Sequence, residues 1–253
     1  MGRVQLPVEQ IKVADIGGKV LKAVAEFRYL GTIASSNGRS SQEINRRLAL
    51  GSSVFARLGK IWMRKDLTLN MKCDLYYAIV MTVLLYNGEC WVTRPRDLER
   101  LEGFHFRCLR RITRNVRCPG MKDDCKIDRA SHEEVFGVSR MPKIEDMLRE
   151  KRLRWFGHLT REQKDDPAKE TLWREMESGG KSKWWAQVEN DLKIKLKVKK
   201  VSLKKVLKMA EDRDVWRQLS SSRHEAPLRA SVQHNLENKR GRRKKAVRST
   251  RAK

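Results

Sequence analysis

Four arginines, Arg107, Arg110, Arg111 and Arg114, are set apart by offsets of 3, 4 and 7 residues from the first. On a helix turning about 100° per residue, those offsets gather all four on one face. Guanidiniums side by side suit phosphate oxygens, to which their planar forks donate in pairs. The other face of the same segment carries Leu101, Phe104, His105, Cys108 and Ile112, so the cations are expected to point outward while the apolar side packs. Few acids stand one helical turn away to neutralise them. A second basic group, Arg149, Lys151, Arg152 and Arg154, precedes W-F-G-H at 155–158. Aromatic rings beside cations can stack on bases, but a Trp on an apolar helical stretch more often fills a core. Trp62, Trp91 and Trp155 are accordingly expected to be core residues. A third group, Lys239, Arg240, Arg242, Arg243, Lys244 and Lys245, reads either as a nuclear-localisation signal or as a nonspecific nucleic-acid arm.

Other chemistry finds little support. His105, Cys108, Cys118, Cys125 and His132 fall within 28 residues, yet no short Cys-x-x-Cys pair occurs and His105 and Cys108 share the apolar face, so no metal site is expected. Gly180-Lys181-Ser182 imitates the end of a phosphate-binding loop, but Glu175 stands where that loop needs glycine. No nucleophile elbow, Ser/His/Asp order or His-Glu-x-x-His is present. The vicinal acids Asp123-Asp124 and Asp165-Asp166 do not follow the strand-forming apolar run that buries a polymerase's catalytic aspartates. The chain offers no catalytic residue of its own.

Positioning the arginines requires helices. Ile44, Leu48, Gly51, Phe55, Leu58 and Trp62 recur at alternating spacings of 4 and 3, one stripe of a helix. Residues 70–87 are apolar nearly all round and end at Asn87-Gly88, as befits a helix inside a bundle. Pro95 precedes Asp97, read as the N-cap of a helix running to about Thr113. Residues 115–130 read as a loop. Two shorter helices follow, one opened by Ser131 and one after Pro142, in which Ile144, Met147, Leu148 and Trp155 share a face. Residues 162–183 have linker composition, and Trp184 to Leu192 and Ser202 to Leu219 read as helices. Between those two, L-K-I-K-L-K-V-K-K fits strand or helix alike. Ahead of all this, F-R-Y-L-G-T-I at 27–33 is β-rich and is closed by the turn residues of Ser35 to Gly38. The expected architecture is mainly α: a short β-rich segment over 1–41, a helical bundle over 42–115, a looser helical region over 116–219 and a disordered basic tail over 220–253.

The 253 residues hold 57 Lys or Arg against 31 Asp or Glu, a net charge of +26, with 40% hydrophobic and 35% charged residues. Mean hydropathy is −0.67. Residues 239–253 account for nine of those cations with no acid, leaving +17 on the rest. A polyanionic partner, and nucleic acid first, is the expectation for so basic a body. The longest apolar run, Leu75 to Tyr86, is twelve residues, too short to span a bilayer. Five cysteines without a paired framework or a signal peptide suit reduced thiols in an intracellular protein, nuclear or cytoplasmic.

Five separated motifs add a resemblance. F-R-Y-L-G-T-I, L-L-Y-N-G-E-C-W (84–91), L-E-G-F-H-F-R-C-L-R-R-I (101–112), R-L-R-W-F-G-H-L (152–159) and A-E-D-R-D-V-W-R-Q-L (210–219) resemble, in order, the downstream part of reverse transcriptases from LINE-type non-LTR retrotransposons. The resemblance implies that Phe27, Tyr29, Leu30 and Gly31 match the end of the palm, a primer-grip-like element. It matches residues 42–115 to the helical thumb that holds the template–primer duplex, and residues 131–219 to the C-terminal region. It also implies that the palm aspartates, which hold Mg²⁺ in the complete enzyme, lie upstream of residue 1. Because two-metal phosphoryl transfer needs paired carboxylates, this chain alone is expected to bind nucleic-acid backbone, with no cofactor, and not to polymerise. A standalone helical nucleic-acid-binding protein and a non-functional remnant are the competing readings.

Overall fold

A computed structural model describes residues 11–12, 20–21, 24–113, 131–163, 166–177 and 182–221. The β-rich lead-in consists of two antiparallel pairs, β1 (Ile11–Lys12) with β2 (Val20–Leu21) and β3 (Glu26–Tyr29) with β4 (Thr32–Ser35). The expected single stretch at 27–33 is therefore a hairpin that reverses at Leu30-Gly31. Both residues have positive φ, 46° and 76°, the mirror-image turn whose twist matches a two-stranded ribbon. Ser35 to Gly38 closes the hairpin and leads into the first helix, with Gly38 N–H donating to the Ser35 carbonyl at 3.0 Å.

Helix α1 (Ser41–Arg57) and the single turn α2 (Gly59–Trp62) carry the first apolar stripe. Ile44 and Trp62 are fully buried, and the Trp62 indole donates to the Phe55 carbonyl at 2.9 Å. Thr68 caps α3 (Leu69–Leu75), which runs on through a π-helical segment, Tyr76–Met81, into α4 (Thr82–Leu84). The left-handed Asn87, φ 58°, ends this helix where the Asn-Gly pair predicts. A 3₁₀ turn, Gly88–Cys90, leads to α5 (Pro95–Thr113).

Asp97 is not the cap of α5. Proline at the first helical position starts the helix two residues earlier, and Asp97 is buried within the first turn, accepting from Ser41 Oγ at 2.9 Å and Arg94 Nε at 3.0 Å. Burial opposes its charge, but those hydrogen bonds outweigh burial and hold the carboxyl below its usual pKa.

Ser131 and Glu134 form a reciprocal capping box on α6 (His132–Ser139), and α7 (Ile144–Arg161) follows. The expected linker over 162–183 contains a helix, α8 (Pro167–Glu177). Asp166 accepts from the backbone of Ala168 and Lys169, at 2.8 and 3.1 Å, directly before Pro167. An aspartate cap and an N1 proline start a helix as readily as they fill a linker. Helix α9 (Lys183–Leu196) absorbs the first half of L-K-I-K-L-K-V-K-K and stops at left-handed Lys197. The helix expected from Ser202 to Leu219 is two, α10 (Leu203–Glu211) and α11 (Arg213–Ser220). Asp212 interrupts it by accepting from Asp214 and Val215 N–H at 2.9 and 3.0 Å. The loop expected at 115–130 and the tail expected from 220 fall, but for Ser220 and Ser221, outside the described residues.

Two apolar cores result, and α7 serves both. Its first half gives Ile144, Met147 and Leu148 to a core built with α1 to α6. Its second half gives Leu153, Phe156 and Leu159 to a core with α8 to α11. The packing therefore does not divide near residue 115, because Val135 and Met141 also join the first core. No described helix is long and apolar enough to cross a membrane.

Candidate nucleic-acid interface

Helix α5 sorts its two faces by chemistry. Leu101, Phe104, Cys108, Leu109 and Ile112 are buried, whereas Arg107 and Arg111 are exposed and Arg110 half-buried. Arg107 and Arg111 make no ion pair among the described residues, and Arg114 lies outside them. Two further cations were missed from sequence. Because α5 begins at Pro95, Arg96 and Arg100 fall on the same helical row as Arg107 and Arg111, and both are exposed. A helix starting at Asp97 leaves Arg96 outside, and Arg100, though inside it, stands seven residues from Arg107 with no cation between. Arg100 donates to the Asn45 side chain. Beside the row a groove of about 500 Å³ runs between α1 and α5, its lining including Ala49, Ser52, Glu99, Arg100, Gly103 and Arg107. Ala49, Ser52 and Gly103 leave room for a backbone to approach, and Glu99 is the one carboxylate in the lining.

The inward side of α5 is packed around a buried histidine. His105 is fully buried, its Nε2 3.2 Å from the Pro142 carbonyl and its Nδ1 2.9 Å from the Tyr76 hydroxyl. A carbonyl only accepts, so Nε2 carries the proton and Nδ1 accepts from Tyr76. Burial drives the imidazole pKa down to about 4, the bond to Pro142 only partly opposing it. The Cys73 and Cys108 thiols nearby are pushed up to about 12, by burial above all. These are neutral core groups. His105 has no nitrogen left for a metal, and the His132 ring stacks on Phe106 with centroids 3.6 Å apart. No group of three or more His, Cys, Asp or Glu side chains is placed to hold a metal among the described residues, while Cys118 and Cys125 lie outside them.

The second basic group meets a different fate. Arg149 and Arg152 are buried. Arg152 grips Asp191 of α9 with two donors, Nε at 2.7 Å and Nη2 at 3.2 Å. Arg149 lies 3.4 Å from the same carboxylate and also pairs with Glu145 and Asp146. Neither guanidinium is open to an outside phosphate, so both are withdrawn from the candidate interface. Their reason for being there is to tie α7 to α9. Lys151 pairs with Glu89 at 3.1 Å and Arg154 with Glu150. Those two side chains stay half-exposed on the wall of a cleft of about 590 Å³ between the π segment and α7, with Tyr77, Tyr86, Trp155 and His158. Of the three tryptophans expected in the core, Trp62 and Trp91 are buried, and Trp155 is half-buried at the edge of the second core.

The hairpin carries the primer-grip-like residues. Phe27 and Tyr29 expose 58% and 64% of their surface, with rings 6.4 Å apart, and Leu30 at the tip exposes 75%. The turn itself is clamped. Arg46 and Arg47 both donate to the Gly31 carbonyl at 2.6 Å, and Tyr86 reaches the Leu30 carbonyl at 3.3 Å. Glu43 in turn holds Arg47 at 2.5 Å and accepts from Ile33 N–H at 2.9 Å. Apolar side chains are thus presented outward from a turn fixed to α1. The basic tail, Lys239 to Lys245, lies outside the described residues.

Comparison with known proteins gives no counterpart: no family model, no curated protein and no solved structure matches this chain.

Proposed function

We propose that this chain holds a nucleic-acid duplex by its phosphate backbone, as the thumb and downstream region of a LINE-type reverse transcriptase would, and contributes holding rather than nucleotide addition. The observation that carries the reading is the arginine row of α5. It runs from Arg96 through Arg100 and Arg107 to Arg111 on one solvent face, beside a groove whose lining includes Ala49, Ser52, Gly103 and a single acid, Glu99. Consecutive guanidiniums along a helix follow a line of phosphates and carry no base information. The excess of +26 draws a polyanion toward that face. The order of five sequence motifs supports the mobile-element origin.

The test is a salt titration of binding to duplex DNA and to an RNA–DNA hybrid. Each neutralised phosphate contributes about 0.9 to the slope of log affinity against log salt for B-form DNA, so replacing Arg107, Arg110, Arg111 and Arg114 by Gln lowers that slope by about two to four. Adding Arg96→Gln and Arg100→Gln lowers it further, equally for all sequences. Equal slopes in parent and variant would remove α5 from the interface. Primer extension on an RNA template with Mg²⁺ is expected to give no product, and template-dependent extension by this chain alone would overturn the holding role.

A further inference from the structure

The most concentrated charge among the described residues lies elsewhere, at the elbow between α9 and α10. Residues 193–208 contain eight lysines and no acid. Two are engaged: Lys193 pairs with Glu189 at 2.7 Å, and Lys195 donates to the Ser221 carbonyl at 2.6 Å. The other six, Lys197, Lys199, Lys200, Lys204, Lys205 and Lys208, are all exposed and make no ion pair among the described residues. All six fall within twelve residues that span one change of direction. Left-handed Lys197 ends α9 and turns the chain through Lys199 and Lys200 into α10. On α10 the offsets of one and four residues keep Lys204, Lys205 and Lys208 on one side, with buried Val206 and Ala210 on the other.

We infer that this lysine elbow is a second phosphate-backbone contact, separate from the α5 row and engaging the same class of partner, a nucleic-acid strand; the inference rests on the nucleic-acid reading above. Six like charges crowded without acids repel one another, and a counter-charge of matching density relieves that repulsion. Duplex DNA presents about one phosphate per 1.7 Å of axis, which suits six ammonium groups within twelve residues. An anionic bilayer suits them less well. Amphipathic helices bind membranes by burying an apolar face, and the apolar face of α10 is already spent on the second core. Only Ile194 and Val198 remain exposed beside the lysines, at 46% and 41%. Lysine ammoniums are point charges without the bidentate fork of arginine, so the elbow adds affinity and salt dependence, not sequence preference.

The experiment uses the full chain with Gln at all six lysines, titrated with salt against the same duplexes. If at least three phosphates are engaged, the slope falls by about three, and its effect adds to that of the α5 glutamines. Thermal melting is expected to stay level or rise, because repulsion is removed. Should the variant fail to fold, lysine acetylation of the unaltered chain, read by mass spectrometry, replaces it. Duplex then protects Lys197 to Lys208 from the reagent. An unchanged slope or unprotected lysines overturn the inference, and so does an elbow that binds phosphatidylserine vesicles but not duplex. The outcomes separate the two interfaces. Loss only on the elbow variant keeps this contact and removes the α5 reading, whereas loss only on the α5 variant does the reverse.

Discussion

Helices α5 and α7 are nearly the same length, 19 and 18 residues, and both are rich in arginine. Their arginines do opposite things. On α5 Arg96, Arg100, Arg107 and Arg111 stand in solvent, and along its middle the buried polar group is an uncharged histidine, Asp97 being buried only at its start, where Arg94 pairs with it. On α7 two guanidiniums are buried and the second core closes over them. The difference is not in the residues but in what lies across from them. Helix α5 faces Tyr76 and the Pro142 carbonyl, a hydroxyl and an acceptor that satisfy a neutral ring. Helix α7 faces Asp191, the carboxylate that pairs with Arg152 and makes burial of the two guanidiniums tolerable. Burial of charge is viable only with a partner of opposite sign and good geometry.

The largest expected effect breaks the ionic side of this comparison. Asp191→Asn leaves two buried guanidiniums short of their shared carboxylate and is expected to cost about 3–5 kcal/mol. Denaturant unfolding measures it, and the salt slope of duplex binding by the still-folded fraction should not move. A small cost would mean that Glu145 and Asp146 alone sustain the pair.

Next comes the neutral side. The folded pKa of His105 is about 4 against an unfolded value near 6.5. The unfolded state therefore binds more protons between those values, and stability falls as pH drops through this window. At 1.36 kcal/mol per unit, the loss relative to pH 7 reaches about 2 kcal/mol by pH 5 and about 3 by pH 4. In His105→Gln this component of the pH dependence disappears. Parallel pH profiles of the two proteins would refute the assignment.

The smallest effects come from a glycine on each helix. A Cβ on Gly157 of α7 would sit 2.1 Å from the Trp216 indole nitrogen, which donates to the Leu153 carbonyl at 2.8 Å. Gly157→Ala must displace a buried indole and is expected to cost about 1–3 kcal/mol. On α5, a Cβ on Gly103 meets only the exposed guanidinium end of Arg107 at 3.5 Å. Gly103→Ala is expected to stabilise by about 0.5–1 kcal/mol through helix propensity. Melting curves of the two variants shift in opposite directions if α7 is the packed helix and α5 the open one.

Much of this was legible along the chain. Periodicity located α1 and α5, because one apolar stripe at helical spacing has a single way to be buried, and the all-round apolar run of 70–87 located α3. Asn87-Gly88 and Ser131 marked helix ends because their conformations and caps are local. Local signals failed where two structures share a vocabulary. Asp166-Pro167 serves a linker or a helix start, and Asp212 inside an amphipathic run splits it only because its side chain captures two backbone donors. Phe27 to Ile33 carried its β-propensity plainly, yet its reversal at Leu30-Gly31 is held by Arg46, Arg47 and Tyr86, none of them adjacent in sequence.

Residue types and short spacings alone carried the helical class, the apolar stripes, the sign and size of the charge and the solvent side of Arg107 and Arg111. Each of these depends on residue type and on spacings within one turn. Tertiary structure decided which cations remain available. Arg149 and Arg152 look from the sequence like Arg107 and Arg111, and a carboxylate 39 residues beyond Arg152 takes them inward. Lys204, Lys205 and Lys208 stay in solvent because α10 commits its apolar side, Val206 and Ala210, to the core. Such pairing depends on distances through space, and spacing along the chain does not encode them.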